Sequence, residues 1–424
     1  MKRPGRSPAS LWRDPRFVRC WAGSAISQFG DRVSEVAVPL VAVGVLHASA
    51  GQVAWLTALA WAPNLLATLL GVWVDQRPGK RRLLIATDVV RAAVLLTVPV
   101  AYLCGTLTLG QLYVVTLAVG FAGVLAGCAW SPFFTRLVPS SAYVEANSRF
   151  GAARSASFVA GPALGGGLVQ VLTAPVAVVA DAVSFLASAL LLRGVGLDAP
   201  PPVAQHAPGK GSLLRGAREG LAFVLREPVL RAGLACATTL NFFTLLTGTG
   251  LVVLFADRIL QLPPGIIGLT LGVGATGSLV GALTAPWLAR RIGSGHCVVI
   301  GAVLFPAPFA AAALADGPVW ARVGVLGGAQ FLIGLGVMLF DVNLNSLQTA
   351  VTPDALRARV TGAYSTVNYG IRPLGAVIGG VLAETVGLRT TFVIAGVGGA
   401  LSVLWLLPSS IPRIRTAAEL LVDA

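Results

Sequence analysis

Long apolar runs separated by short polar breaks dominate this chain. They cover 20–46, 53–74, 83–103, 111–134, 150–172, 175–193, 229–255, 263–288, 297–314, 323–347, 361–383 and 388–408. A helix needs roughly 20 apolar residues to cross a bilayer, and runs of this length with no period-2 alternation read as membrane spans. The pattern predicts an all-α integral membrane protein with twelve transmembrane helices. Its longest polar stretch separates six helices from six. The expected organisation is a cytoplasmic N-terminal segment 1–19, a six-helix bundle 20–193, a cytoplasmic linker 194–228, a second bundle 229–408 and a cytoplasmic tail 409–424. Within the linker, LLRGAREGLAFVLREP places apolar and basic residues at helical spacing. That predicts a helix over 213–227, either lying flat on an anionic leaflet or serving as an ordinary connector.

Composition agrees with the pattern. Of 424 residues, 55% are hydrophobic and 11% charged, against about 25% charged in a soluble domain, and the mean hydropathy is +0.80. Fifty Gly and 26 Pro are scattered without a short period, so collagen-like and disordered readings fail. The net charge of +14 would suit nucleic acid, but its placement argues otherwise. With the N-terminus inside, 25 of the 31 Lys and Arg fall on the cytoplasmic side, Arg258, Arg322 and Arg389 fall outside, and Arg32, Arg91 and Arg372 lie within helices. This positive-inside bias supports an even number of spans with both ends cytoplasmic and removes the nucleic-acid reading. Arg outnumbers Lys 28 to 3, which points to a GC-rich genome and a bacterial inner membrane. The cysteines, Cys20, Cys104, Cys128, Cys236 and Cys297, form no CxxC and have no His at ligand spacing, so neither a disulfide framework nor a metal site is expected. Lys2, Arg3, Arg6, Arg13 and Arg16 precede an apolar run too long for a signal peptide, so the first helix should stay attached.

The two halves match each other. Trp73, Arg77 and Gly79 correspond to Trp287, Arg291 and Gly293 at an offset of 214, as does Pro139 to Pro353, while Pro162 corresponds to Pro373 at 211. Two parallel six-helix repeats explain this economically; chance coincidence of Gly and Pro is the alternative.

After the second run comes GVWVDQRPGKRRLL. Gly71 allows close helix approach, Asp75 sits at the membrane surface, and Arg77, Lys80 and Arg81 follow. The chain here resembles the major facilitator superfamily, whose signature between helices 2 and 3 is Gly, three residues, Asp and a short basic cluster. Gln76 stands where many members have Arg, and the basic pair lies one residue further on. The resemblance implies twelve helices in the major facilitator fold and a cytoplasmic gate latched by this motif, with Asp75 accepting from a facing helix N-terminus or Arg. The alternative is a positive-inside anchor. Asp88 and Arg91, three apart on one helix face, are expected to belong to the same gate. GPALGGG on the fifth helix combines a proline kink with positions for tight packing and resembles the fifth-helix signature of the exporting, proton-antiporting branches. Gly161, Pro162, Gly165 and Gly166 fit its core, and Ser148 and Ser157 replace its earlier glycines. The alternative is packing without directional meaning. SQFGDRVSEVAVPL, LVPSSAYVEANS and VTPDALRARVTGAYS look like the subgroup of macrolide exporters, the enterobactin exporter and lysophospholipid transporters.

Asp31 and Glu35 share a face of helix 1, roughly 13 to 20 Å from its inner end at 1.5 Å per residue. Ionisable groups at that depth are expensive unless they face a cavity or a partner, and burial favours the neutral form of a carboxylate, which can then carry protons. They lead the proton-coupling candidates; the alternative is structural pairing with Arg32 or, better placed, Arg372, and Asp181 and Asp341 are further buried acids. Gln28, Trp61, Asn64, Asn241, Phe242, Phe243, Asn368 and Tyr369 mix aromatic faces with amides at cavity-like depth, as a substrate-binding site for an amphipathic molecule would. No nucleotide-binding loop, metal triad or Ser/His/Asp arrangement is present. The sequence therefore reads as a secondary active transporter rather than an enzyme: a monomer, without cofactor, whose partners are a small-molecule substrate, protons and the lipid bilayer. Proton-coupled efflux by alternating access leads; uptake or lipid flipping on the same fold comes second, and a membrane enzyme or scaffold third.

Overall fold

The computed structural model describes residues 11–77, 79–139, 142–196, 210–353 and 356–416. Among these residues the chain is helical, with no strand. The first set of helices is α1 (Pro15–Leu40), α2 (Ala50–Trp61), α3 (Ala67–Asp75), α4 (Lys80–Leu103), α5 (Leu109–Leu137), α6 (Tyr143–Leu172) and α7 (Ala174–Arg193). After α8 (Lys210–Arg226) come α9 (Pro228–Leu245), α10 (Gly248–Leu254), α11 (Pro264–Ile292), α12 (Ser294–Leu304), α13 (Ala307–Ala312), α14 (Val319–Val351), α15 (Arg357–Gly370), α16 (Arg372–Thr385) and α17 (Leu388–Ala400). Local chemistry sets the starts: Asp14 caps α1, Ser49 and Gln52 form a capping box on α2, and Thr108 caps α5, each oxygen accepting from an N–H that has no helical partner.

Nine helical stretches among the described residues are long and apolar enough to cross a membrane. The other apolar runs map onto helices that are charged or broken. The first carries Asp31, Arg32 and Glu35 within α1. The second is interrupted by a 3-10 turn at Ala62–Leu66 that contains Pro63. The eleventh breaks at Ile371, ahead of Arg372 and Pro373. Proline removes a backbone donor and clashes with the preceding turn, so these breaks have a direct cause.

Lipid tails are as apolar as leucine, so membrane helices are held by close packing more than by burial from water. This is where the chain uses its glycines. A Cβ on Gly281 of α11 would lie 2.7 Å from the Leu335 carbonyl of α14, and one on Gly301 of α12 would lie 2.6 Å from the Phe340 backbone of α14. In the first set, α1 packs along α7 and α6, and α4 along α7 and α5.

The two sets meet through α6 on α11, α2 on α16, and α10 on α1 and α2. At one end the meeting is tight. The Cα of Gly268 lies 2.9 Å from a Cβ placed on Gly166, and that of Gly51 lies 3.0 Å from one on Gly380. Hydrogen bonds join the sets there. Arg258 donates to the Ala48 carbonyl (2.8 Å), Gly265 N–H donates to Gln170 (3.0 Å), and the Glu384 carboxylate accepts from the Gly51 N–H (2.9 Å) and the Ser49 hydroxyl. Towards the opposite end a cavity of about 170 Å³ opens beside α9, α14 and α15.

The expected helix over 213–227 forms as part of α8 and packs on α15 and α9. Glu219 pairs with Arg359 at 2.5 Å, and Val224 is fully buried. The side chains of 210–217 lie outside the described residues.

Candidate functional site

Three structural groupings contain most of the residues singled out in the sequence. The first is a charged cluster between α1, α4 and α7. Asp181 is 1% exposed and Asp88 7%. Asp181 accepts from the Ser34 hydroxyl of α1 and, at 3.2 Å, from the Ser184 hydroxyl one turn along α7. Asp88 lies beside Ser188, with Arg91 and Asp31 as its charged neighbours. Asp31 lies within electrostatic reach of Arg91, Arg32, Glu35 and Asp181. The Arg91 guanidinium sits 4.9 Å from the Phe185 ring, and Arg32 bonds Glu35 at 2.5 Å with its guanidinium 3.8 Å from the Phe158 ring. Four acids thus gather around two arginines.

This arrangement changes two expectations. Arg372 does not partner Asp31, whose basic neighbours are Arg91 and Arg32. Asp88 and Arg91 do not join the basic loop after α3; they belong to this cluster, because their shared face of α4 turns towards α7. The serines were missed although the spacing was visible: Ser34 follows Asp31 by three residues, and Ser184 and Ser188 follow Asp181 by three and seven, all on one helical face.

The second grouping closes the space between the sets at mid-height. Arg372 donates from Nε to Asn241 (2.7 Å), and its guanidinium lies beside both the Trp61 ring of α2 (4.1 Å) and the Tyr369 ring of α15 (4.4 Å). Trp61 and Tyr369 are stacked with centroids 6.4 Å apart, and Asn241 donates to Asn368 at 2.8 Å. A cation held near two aromatic rings gains from the quadrupole of each. Below it lies the cavity already noted, lined by Asp341, Asn345, Gln348, Tyr364, Asn368 and Tyr369 among others. Gln348 and Tyr364 escaped the sequence reading, because isolated polar residues in an apolar run carry no face-specific signal.

Other expected binding residues are used elsewhere. Gln28 donates to Ser24 within α1, and Asn64 donates to the Trp61 carbonyl at the break in the second run. Phe243 packs against Gly398 and Gly399 of α17, and Phe242 meets it edge to face at 5.2 Å.

The third grouping is the loop after α3. The Asp75 side chain lies outside the described residues. Arg77 stacks on Trp73 (4.6 Å), as Arg291 stacks on Trp287 (5.1 Å), and Gly79 and Gly293 both have positive φ, +78° and +95°. Lys80 reaches back to the Val74 carbonyl, and Arg81 bonds the Val195 carbonyl at the end of α7. Among the described residues Gly71 makes no close approach: a Cβ there would meet Cys128 Sγ at 3.8 Å. The GPALGGG run is two-sided. Gly161 and Gly165 lie against Arg32 and Val33 of α1, whereas Gly166 and the Pro162 carbonyl meet Gly268 of α11.

A helical membrane bundle of two packed helix sets, with a buried charge cluster in the first and a polar-lined cavity in the second, is the architecture of a carrier. The chain belongs to the Major Facilitator Superfamily, whose family model matches residues 20–375. It is similar to the multidrug efflux pump Tap of Mycobacterium tuberculosis, 28% identical over 392 residues and 90% of each chain. It is also similar to the MFS-type transporter y4rN of Sinorhizobium fredii, 30% identical over 96% of this chain and 97% of that one. Among solved structures it resembles the nucleoside transporter NupG (TM-score 0.76, 14% identity, 93% of this chain and 98% of that one). A bacterial homologue of the iron transporter ferroportin in its inward-facing state gives a TM-score of 0.71 at 18% identity, covering 94% and 99%. The protein is a multi-pass membrane transporter rather than an enzyme.

Proposed function

We propose that this transporter is a proton-coupled exporter of small lipophilic or amphipathic compounds, working by alternating access in a bacterial inner membrane. Its twelve helices form two parallel six-helix repeats, 20–193 and 229–408, with both termini cytoplasmic and the sealed end outside. The recurrence of the Trp–Arg stack and the positive-φ glycine at an offset of 214 supports the repeat. Similarity to multidrug efflux pumps across nine-tenths of the chain supports export.

The charge cluster carries the reading. Among the described residues, the basic neighbours of Asp31, Glu35, Asp88 and Asp181 are Arg32 and Arg91. An uncompensated charge at this depth is costly, and protons supply the neutralisation in a way that can be reversed from either side. The cluster also touches the moving parts: Gly161 and Gly165 of α6 press on Arg32 and Val33, while Gly166 of the same helix presses on α11 of the other set. A change in charge on α1 therefore bears directly on the helix that closes the sealed end.

Inverted membrane vesicles energised with a pH gradient and given a fluorescent amphipath in the external medium test this. Asp31→Asn and Asp181→Asn are expected to abolish gradient-driven uptake while leaving gradient-free substrate exchange within about threefold of the parent, since the amide keeps the shape and much of the hydrogen bonding. Wild-type gradient-driven rates in both variants would refute proton coupling through this cluster.

A further inference from the structure

The cavity beside α9, α14 and α15 is distinct in chemistry from the proton cluster. It holds one carboxylate, Asp341, exposed to its interior. The charged neighbour of Asp341 among the described residues is Arg372, and that guanidinium is already committed to Asn241 and to the Trp61 and Tyr369 rings beside it. Tyr364 is nine-tenths buried, yet its hydroxyl has no properly formed hydrogen bond, with Gln348 as its polar neighbour. A buried hydroxyl whose hydrogen bonding is incomplete can take a further partner. Asn345, Gln348 and Asn368 add amide oxygens to the same wall, and Tyr369 presents a ring face at the rim.

We infer that this cavity receives a protonated amine, and that the exported compounds are amphipaths bearing an alkylammonium arm. An ammonium offers three donors and no acceptor, which matches a wall of one carboxylate, amide oxygens and a hydroxyl. Its charge-assisted bond to Asp341 is stronger than any neutral pairing available there, and the Tyr369 face adds to the attraction for a cation. Phe340 and Leu344 line the same space and suit the methylene stem. At about 170 Å³ the cavity holds an arm, not a whole drug-sized molecule. The remaining apolar body lies outside it, towards the space between the two helix sets. This deepens the export reading by naming the substrate class, but the binding test does not depend on transport.

Dansylcadaverine, a fluorescent amphipath ending in a primary ammonium, and its N-acetyl derivative, neutral and larger by one acetyl group, distinguish the cases when their ratio is compared between the parent and Asp341→Asn. Equilibrium binding is measured on the full-length protein in lipid nanodiscs. The parent protein should bind the amine at least about tenfold more tightly than the acetamide, as one well-placed charge-assisted bond provides. Asp341→Asn should bring that ratio close to one by weakening the amine alone, Asp341→Glu should retain the preference, and Tyr364→Phe should lower amine affinity several-fold. Equal binding of the two probes by the unmodified protein overturns the inference without any variant, and so does an undiminished ratio in Asp341→Asn. Uptake of both probes by inverted vesicles is read separately. Selective binding without uptake retires export and leaves the amine site standing; equal binding and equal uptake do the reverse.

Discussion

At the residue scale the charged cluster makes a demand that can be measured. Arg91 faces Asp31, Asp88 and Asp181 at once, so removing it leaves buried acids with less compensation, a loss of about 3 to 5 kcal/mol for one member of a buried charged group. Arg91→Met is expected to lower the thermal midpoint in detergent sharply, and adding Asp31→Asn should recover a large part of the loss. Fully additive effects would show that the two side chains do not interact. The acids and bases themselves were legible in the sequence, because a charge inside an apolar run stands out whatever the fold. Their partners were not. Arg372 and Arg91 are equivalent on a linear reading, and only the packing of α4 against α7 decides which of them meets Asp31.

The elements repeat that lesson. Apolar runs located the helices well, but the breaks at Pro63 and Ile371 depend on single residues inside runs that look continuous. The glycine motifs were visible as motifs while their contacts were not. Gly71 was read as a close approach and has room around it among the described residues, whereas Gly166, one of three consecutive glycines, lies at the crossing of α6 and α11. Leucine at Gly166 should therefore push the two helices apart and block transport, and Gly71→Ala should leave stability within about 0.5 kcal/mol and transport near the parent rate. Cross-linking yield between cysteines placed at the α6–α11 crossing reports the separation. An unchanged yield in Gly166→Leu would mean that the crossing does not need its small residue.

On the scale of the whole molecule, the sealed end rests on Glu384 of α16, whose carboxylate caps the N-terminus of α2 across the boundary between the sets. The Ser49 hydroxyl, and then the Gly51 N–H, hold its carboxyl below the usual glutamate range. An acid with a lowered pKa contributes its stabilisation above the ordinary glutamate value, near 4.3, and loses it as the pH falls through the lowered one. Closure of this end should thus be flat from about pH 8 to about pH 5.5 and weaken only in stronger acid. Glu384→Gln, which cannot accept with a full charge, should open the end at every pH. Distances between spin labels placed on α2 and α16 would show it; a closed end in Glu384→Gln would remove the carboxylate from the seal.

The same carboxylate has a practical consequence. In the proposed orientation it stands at the outer mouth, exposed, on the one surface a molecule reaches without entering the cell. A peptide loop or antibody fragment that clasps α16 to α2 over Glu384 and Ser49 would lock the carrier in one state. Such an inhibitor would never compete with cargo in the central cavity, and its potency would not fall as the cargo changes.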